Sequence, residues 1–257
     1  MNTKLSVPEG YSLHSHWLAI EGKVPNIPEN EGEDIDDVIY EKVAETEVEL
    51  HHQLSLEQQK YYNCVLEALN SGDRLEEVLK SLLNDSSLTK LIPYISRSMF
   101  SMVLDSDDLM ILNRGVKILG ALSMNRFLNL EPYLHQIMPA LLSALMRGDL
   151  VEDGHWMFRK NTAEIVAKVC DHFSDYYEDL KSRVLKLYVK VLEDENKPPA
   201  SHYSAIQGIN SFGVLCIKNL MVPLLPMYLN NTLAKGFMSM EVDQWNMCKE
   251  ALIVRDI

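Results

Sequence analysis

Apolar runs long enough to cross a membrane are missing from the 257-residue sequence: the longest apolar stretch, Phe212 to Leu229, is interrupted by Lys218, Asn219, Pro223 and Pro226. No charged-then-apolar leader opens the sequence, so neither secretion nor membrane insertion is expected. Cysteine is scarce, and Cys64, Cys170, Cys216 and Cys248 lie far apart, without the paired spacing of a zinc or redox motif. Each sits in an apolar helical pattern, which predicts buried, reduced thiols rather than disulfides. A phosphate loop of the GxxxxGK[ST] type is absent, and no nucleophile stands in a glycine-rich elbow. Asp153 with His155, and Asp171 with His172, resemble acid–base machinery only by proximity. His14 with His16 and His51 with His52 offer two metal donors each and no evident third, so no metal or cofactor is expected.

Positive charge is also in short supply, with 24 basic against 37 acidic side chains. Ten of those acids and the single base Lys42 fall between Glu29 and Glu49, leaving a net charge of −4 for the remainder. Such a body has no general attraction for phosphate, and direct nucleic-acid binding is not expected of it. The acidic run lacks sustained periodicity and reads as a linker over residues 31–53. A docking role toward a basic partner, anchored by Ile39 and Tyr40, is its sharper alternative.

What the sequence does have is helical period. No segment alternates with the two-residue repeat of a strand. Ser55 followed by Gln58 forms a capping-box signature that predicts a helix start. Tyr62, Val65, Leu66 and Leu69 then recur at spacings of three and four, and Leu75, Val78, Leu79 and Leu82 do the same beyond Asp73. The alternation continues through Leu88 to Leu104, Leu109 to Met124, Pro132 to Met146, Trp156 to Phe173, Tyr177 to Leu192, Tyr203 to Leu215, Pro223 to Phe237 and Val242 to Val254. Thirteen methionines read first as gap-filling between such helices.

A longer period overlies this one. Pro93 in "LIPYI" and Pro139 in "IMPAL" are 46 positions apart, and Pro223 in "MVPLL" lies 84 further on, twice 42, the copy near Ser182 lacking its proline. Arg114, Arg159 and His202 are separated by 45 and 43 positions. This is the period of HEAT repeats, two helices per unit, each hiding its apolar face by stacking on the next. The expected fold is therefore all-α: a HEAT-repeat α-solenoid of antiparallel helix pairs, about five units over residues 54–257, preceded by an extended segment.

That segment, residues 1–30, contains "HWLAIEGKVPNIPEN", in which Pro25 and Pro28 exclude a continuous helix. His16, Trp17, Leu18 and Ile20 are its candidate docking side chains, since an extended chain has no face of its own to cover an indole. Trp17 is expected to be buried against the solenoid, with docking on another subunit as the alternative. A second candidate group is His155, Trp156 and Arg159 at one helix start, where Arg159 is expected to hold adjacent units in register; a surface site for a partner is the alternative reading.

Taken together, "HWLAIEGKVPNIPEN", "LSLEQQKYY" and "GHWMFRKNTAEIVAKVCDHFSDYYEDLKSRV" resemble the region after the histone fold and the C-terminal HEAT domain in the family of subunit 6 of the general transcription factor TFIID. The resemblance implies a nuclear, non-enzymatic scaffold that contacts other TFIID subunits in RNA polymerase II preinitiation complexes, with related use in a SAGA-type coactivator. Direct promoter-DNA contact is the competing expectation. Pairing with subunit 9 is implied only where the family's histone fold is present, and no stretch here resembles it. Two positions depart from the family pattern: Lys160 stands where an acid follows the arginine, and His202 where an arginine precedes the tyrosine.

Overall fold

Helix-favouring periodicity without strand signals yields the expected class: among the described residues every regular element is helical. A computed structural model describes residues 54–148, 150, 154–233 and 242–253, the backbone alone at 231–233. The extended segment with His16, Trp17, Leu18, Ile20, Pro25 and Pro28, the acidic linker and the histidine pairs lie outside the described residues.

Helix α1 (Leu56–Ser71) starts where the capping box predicts. Gln58 N donates to Ser55 Oγ at 3.2 Å and Ser55 N donates to Gln58 Oε1 at 3.1 Å, so two otherwise unpaired amides are satisfied reciprocally. The helix ends at Gly72, whose φ of 83° suits glycine and returns the chain into α2 (Leu75–Asn84). Next come α3 (Ile92–Asp105) and α4 (Leu109–Ser123), α5 (Leu134–Met146) and α6 (His155–His172), and α7 (Glu178–Glu193) and α8 (Pro199–Ser211). Short 3-10 turns, Ser87–Lys90 and Glu131–Tyr133, lead into α3 and α5. Asp108 caps α4, its carboxylate accepting from Met110 N at 2.7 Å.

Each consecutive pair packs together, and the second helices α2, α4, α6 and α8 also pack in series; α3 and α5 stack in the first-helix layer. This is the layered order of a HEAT solenoid. The core runs through the whole stack, with Leu69, Leu82, Ile95, Leu119, Leu141 and Ile206 among its fully buried side chains. Burial of each contributes on the order of 1.5–3 kcal/mol.

The repeat read from the sequence is partly positional. Arg114, Arg159 and His202 are the sixth, fifth and fourth residues of α4, α6 and α8, close to equivalent places on successive second helices. The prolines all fall on first helices but at different depths: Pro93 is the second residue of α3, Pro139 the sixth of α5, and Pro223 the second of a later six-residue helix.

The C-terminal unit departs from the expected boundaries. The helix expected over Tyr203 to Leu215 begins earlier, at Pro199, and stops at Ser211, because Gly213 at φ 92° turns the chain. Beyond that turn the chain runs through α9 (Val214–Cys216), a π turn (Ile217–Met221), α10 (Val222–Met227) and a second π turn (Tyr228–Leu233). Pro223 and Pro226 lack the amide that an α-helical ladder needs, and wider turns on either side route the backbone around them. Helix α11 (Val242–Leu252) then packs on α8 and completes the second-helix layer. Among the described residues no helix is long and apolar enough to cross a membrane.

Candidate functional site: the repeat junction at Arg159

Positions one turn apart at a helix start face the same way, so His155 and Arg159 are neighbours on α6. Both are buried: His155 is 8% exposed and Arg159 not at all, while Trp156 between them is half-buried. A guanidinium cannot shed its charge and must find acceptors when taken from water. Here Arg159 Nη1 donates to Leu145 O at 2.8 Å and to Ser204 Oγ at 3.0 Å, Nη2 donates to Arg147 O, and Nε donates to His155 Nδ1 at 3.2 Å. Leu145 and Arg147 close the C-terminal end of α5, where unused carbonyls and the negative end of the helix dipole favour a cation. Ser204 belongs to α8. One side chain on α6 therefore ties the end of α5 to α8.

Serines of α8 complete the cap. Ser204 Oγ donates to Leu145 O at 2.6 Å, and Ser201 Oγ donates to Met146 O at 2.8 Å. Trp156 meets Tyr203 edge-on at 4.8 Å between ring centroids, so α6 and α8 are joined by aromatic as well as polar contact. The same device recurs earlier in the stack. Arg114 Nη1 donates to Leu69 O at 3.1 Å and Asn70 O at 2.6 Å, at the end of α1. Arg147 donates to Ser106 O and pairs with Asp107, beyond the end of α3. Arg147 and the two serines carry no periodic or motif signal in the sequence; only the 45-residue offset of Ser204 from Arg159 hints at the match.

At the third equivalent position the pattern changes. His202 is wholly buried between Tyr228 and Trp245, with ring centroids 5.5 and 5.3 Å away, and neither ring nitrogen makes a hydrogen bond among the described residues. Burial pushes its pKa down to about 4, against a weaker opposite pull from the charge of Asp194. It is a neutral packing residue. Lys160, the other departure, is exposed.

Cys170 and Cys248 are buried, and desolvation raises each thiol to about 12, which keeps them protonated. Cys64 and Cys216 are only half-buried, a correction to the expectation of four buried thiols: Cys64 packs against the core from α1, and Cys216 ends the three-residue α9, which buries no residue fully. All four are free. His155, Trp156 and Arg159 are thus brought together by the fold.

Known proteins point in the same direction. The family described as "TAF6 C-terminal HEAT repeat domain" matches residues 50–226. TFIID subunit 6 of Arabidopsis thaliana is 32% identical over 84% of this chain and 42% of its own length. The SAGA and TFIID complex subunit Taf6 of Schizosaccharomyces pombe is 31% identical over 96% of this chain and 62% of its own length. The chain thus spans less than two thirds of either curated relative. The solved TAF6 C-terminal domain from Antonospora locustae superposes with a TM-score of 0.67 and 26% identity, covering 79% of this chain and 99% of that one. With a family match across most of its length and a stack of HEAT units in its fold, the chain belongs to the TAF6 family and carries the family's C-terminal HEAT repeat domain.

Proposed function

We propose that the chain is an architectural subunit of a TFIID-type general transcription factor, and of a SAGA-type coactivator, acting in the nucleus through protein contacts during RNA polymerase II preinitiation complex assembly. The observation that carries this reading is the use of Arg159: a buried cation that an active site would aim at a substrate is aimed at the end of α5 and at α8. Its chemistry is spent on fixing the relative positions of α5, α6 and α8. A body held in register in this way keeps its outward faces in a fixed arrangement for partners. The TFIID and SAGA subunits to which the chain is similar support this role, and pairing with subunit 9 belongs to this reading only together with a histone fold.

The test is biochemical. A tagged form of the chain isolated from nuclear extract is expected to bring other TFIID subunits with it, identified by mass spectrometry. Recovery of the folded chain alone would overturn the reading. Direct promoter-DNA contact is the competing function, and the net charge of −4 outside the acidic run offers phosphate no general attraction.

A further inference from the structure

The second-helix layer has an outer face that the stack does not use. Between α2, α4 and α6 it opens into an apolar groove of about 230 Å³, walled by Leu79 from α2, Ala121 from α4 with Met124 just beyond its end, and Ile165 from α6. Gly120 sets its floor, since α4 and α6 approach so closely there that a Cβ on Gly120 would stand 2.9 Å from Ile165 Cγ2. Lys117 and Lys168 line the groove, and its lining contains no acid. No described carboxylate lies within ion-pair distance of either lysine. The lining itself carries two cations and no anion, while Glu164 and Asp171 lie one turn to either side of Lys168 on α6, so the positive charge is confined to the rim of the apolar floor.

We infer that this groove docks an acidic helical segment of a partner protein, one large apolar side chain of the partner seated among Leu79, Met124 and Ile165 and its carboxylates facing Lys117 and Lys168. Three properties select that occupant. The space lies below the roughly 300–1,000 Å³ of small-molecule and cofactor sites, yet accommodates one leucine or phenylalanine side chain. Lysine stems extend apolar cover along the wall while their ammonium groups stay in water at the rim, so carboxylates flanking an apolar anchor meet complementary charge. An amphipathic helix offers both features on one face at spacings of three and four. Duplex DNA would satisfy the two lysines and leave the apolar floor uncovered, and a basic segment would be repelled. The inference goes beyond the scaffold reading and rests on it only in expecting a protein occupant.

The test is fluorescence anisotropy with the full 257-residue chain. The probe is a labelled synthetic helical peptide carrying one phenylalanine flanked by aspartate and glutamate one turn away. Saturable binding is expected. It should weaken by about tenfold or more in the double variant Lys117→Glu with Lys168→Glu, in Ala121→Trp, which fills the groove, and when the peptide phenylalanine becomes alanine. Lys168 is exposed while Lys117 and Ala121 are half-buried, so circular dichroism melts are recorded for both variants, and the charge-reversed one decides the outcome if Ala121→Trp lowers the melting temperature. No saturable binding by the parent, equal binding by the charge-reversed variant, or preference for a lysine version of the peptide would each overturn the assignment. Lysine-dependent binding of duplex DNA in place of the peptide would give the face to nucleic acid instead. Co-purification with other subunits is read separately, so failure here leaves that outcome intact.

Discussion

At the scale of single residues, the buried polar groups divide into those that hold something and those that hold nothing. Arg159 belongs to the first kind. Arg159→Ala removes a charged donor from three helices and leaves carbonyls at the end of α5 unsatisfied in a dry site. The expected loss is about 3 kcal/mol, read as a lower urea midpoint at unchanged slope, and Arg159→Lys should recover only part of it because an ammonium cannot reproduce the fork. Tyr188 belongs to the second kind: it is wholly buried, and its hydroxyl makes no hydrogen bond among the described residues. Tyr188→Phe should therefore be neutral or stabilising by up to about 1 kcal/mol. His202 adds a dependence on pH. Its folded pKa of about 4 lies below the ordinary 6.5, so between those values the unfolded chain binds the extra proton. Stability contributed by the neutral ring is complete above pH 6.5 and is lost as pH falls toward 4, by about 3 kcal/mol in all. His202→Phe should remove that slope from denaturation midpoints measured across the interval. A slope that persists would assign the dependence to other groups.

Helices pack at distances set by what stands between them, and α7 and α8 meet where there is almost nothing. A Cβ at Gly208 would lie 2.4 Å from Cε2 of the buried Tyr188, so Gly208→Ala must push the two helices apart. The expected cost is about 1–3 kcal/mol, with near-ultraviolet circular dichroism reporting the displaced tyrosine. Elements are also where the sequence is most legible. The starts of α1, α4 and α6 can be read to within a residue because a cap or a clean apolar period marks each. The C-terminal first helix cannot, since π turns arise from two prolines three residues apart in a helical run and no local propensity encodes them. The junction is half legible. Arg159 stands out through its repeat offset, whereas Arg147, in a connection beside Gly148, shows its role only once α3 and α5 are stacked. The docking groove is silent for the same reason: Lys117 and Lys168 are 51 positions apart and meet only across two helices.

For the molecule as a whole, charge and architecture make separate statements. Because duplex affinity rests on cation contacts to phosphate, the chain should bind random duplex near background at physiological salt. Tight binding that falls steeply as salt rises would favour the DNA reading. Architecture bears on motion. The ties made by Arg114, Arg147 and Arg159 grip the C-terminal ends of first helices, at α1, α3 and α5, so charged fastenings gather along one edge of the stack. At the opposite edge the links are neutral or lie in water: Asn125 Nδ2 donates to Leu82 O and Asp85 O, Asn210 Nδ2 donates to Ala251 O, and the exposed Lys181–Asp171 pair and the Tyr177 hydroxyl donating to Glu131 add charged contacts that solvent weakens. The solenoid is bound like a book, firmly at the spine and lightly at the page edges. Thermal bending should fan the loops beyond the second helices while the spine keeps its length, and a partner that grips those page edges would set how far the book stands open.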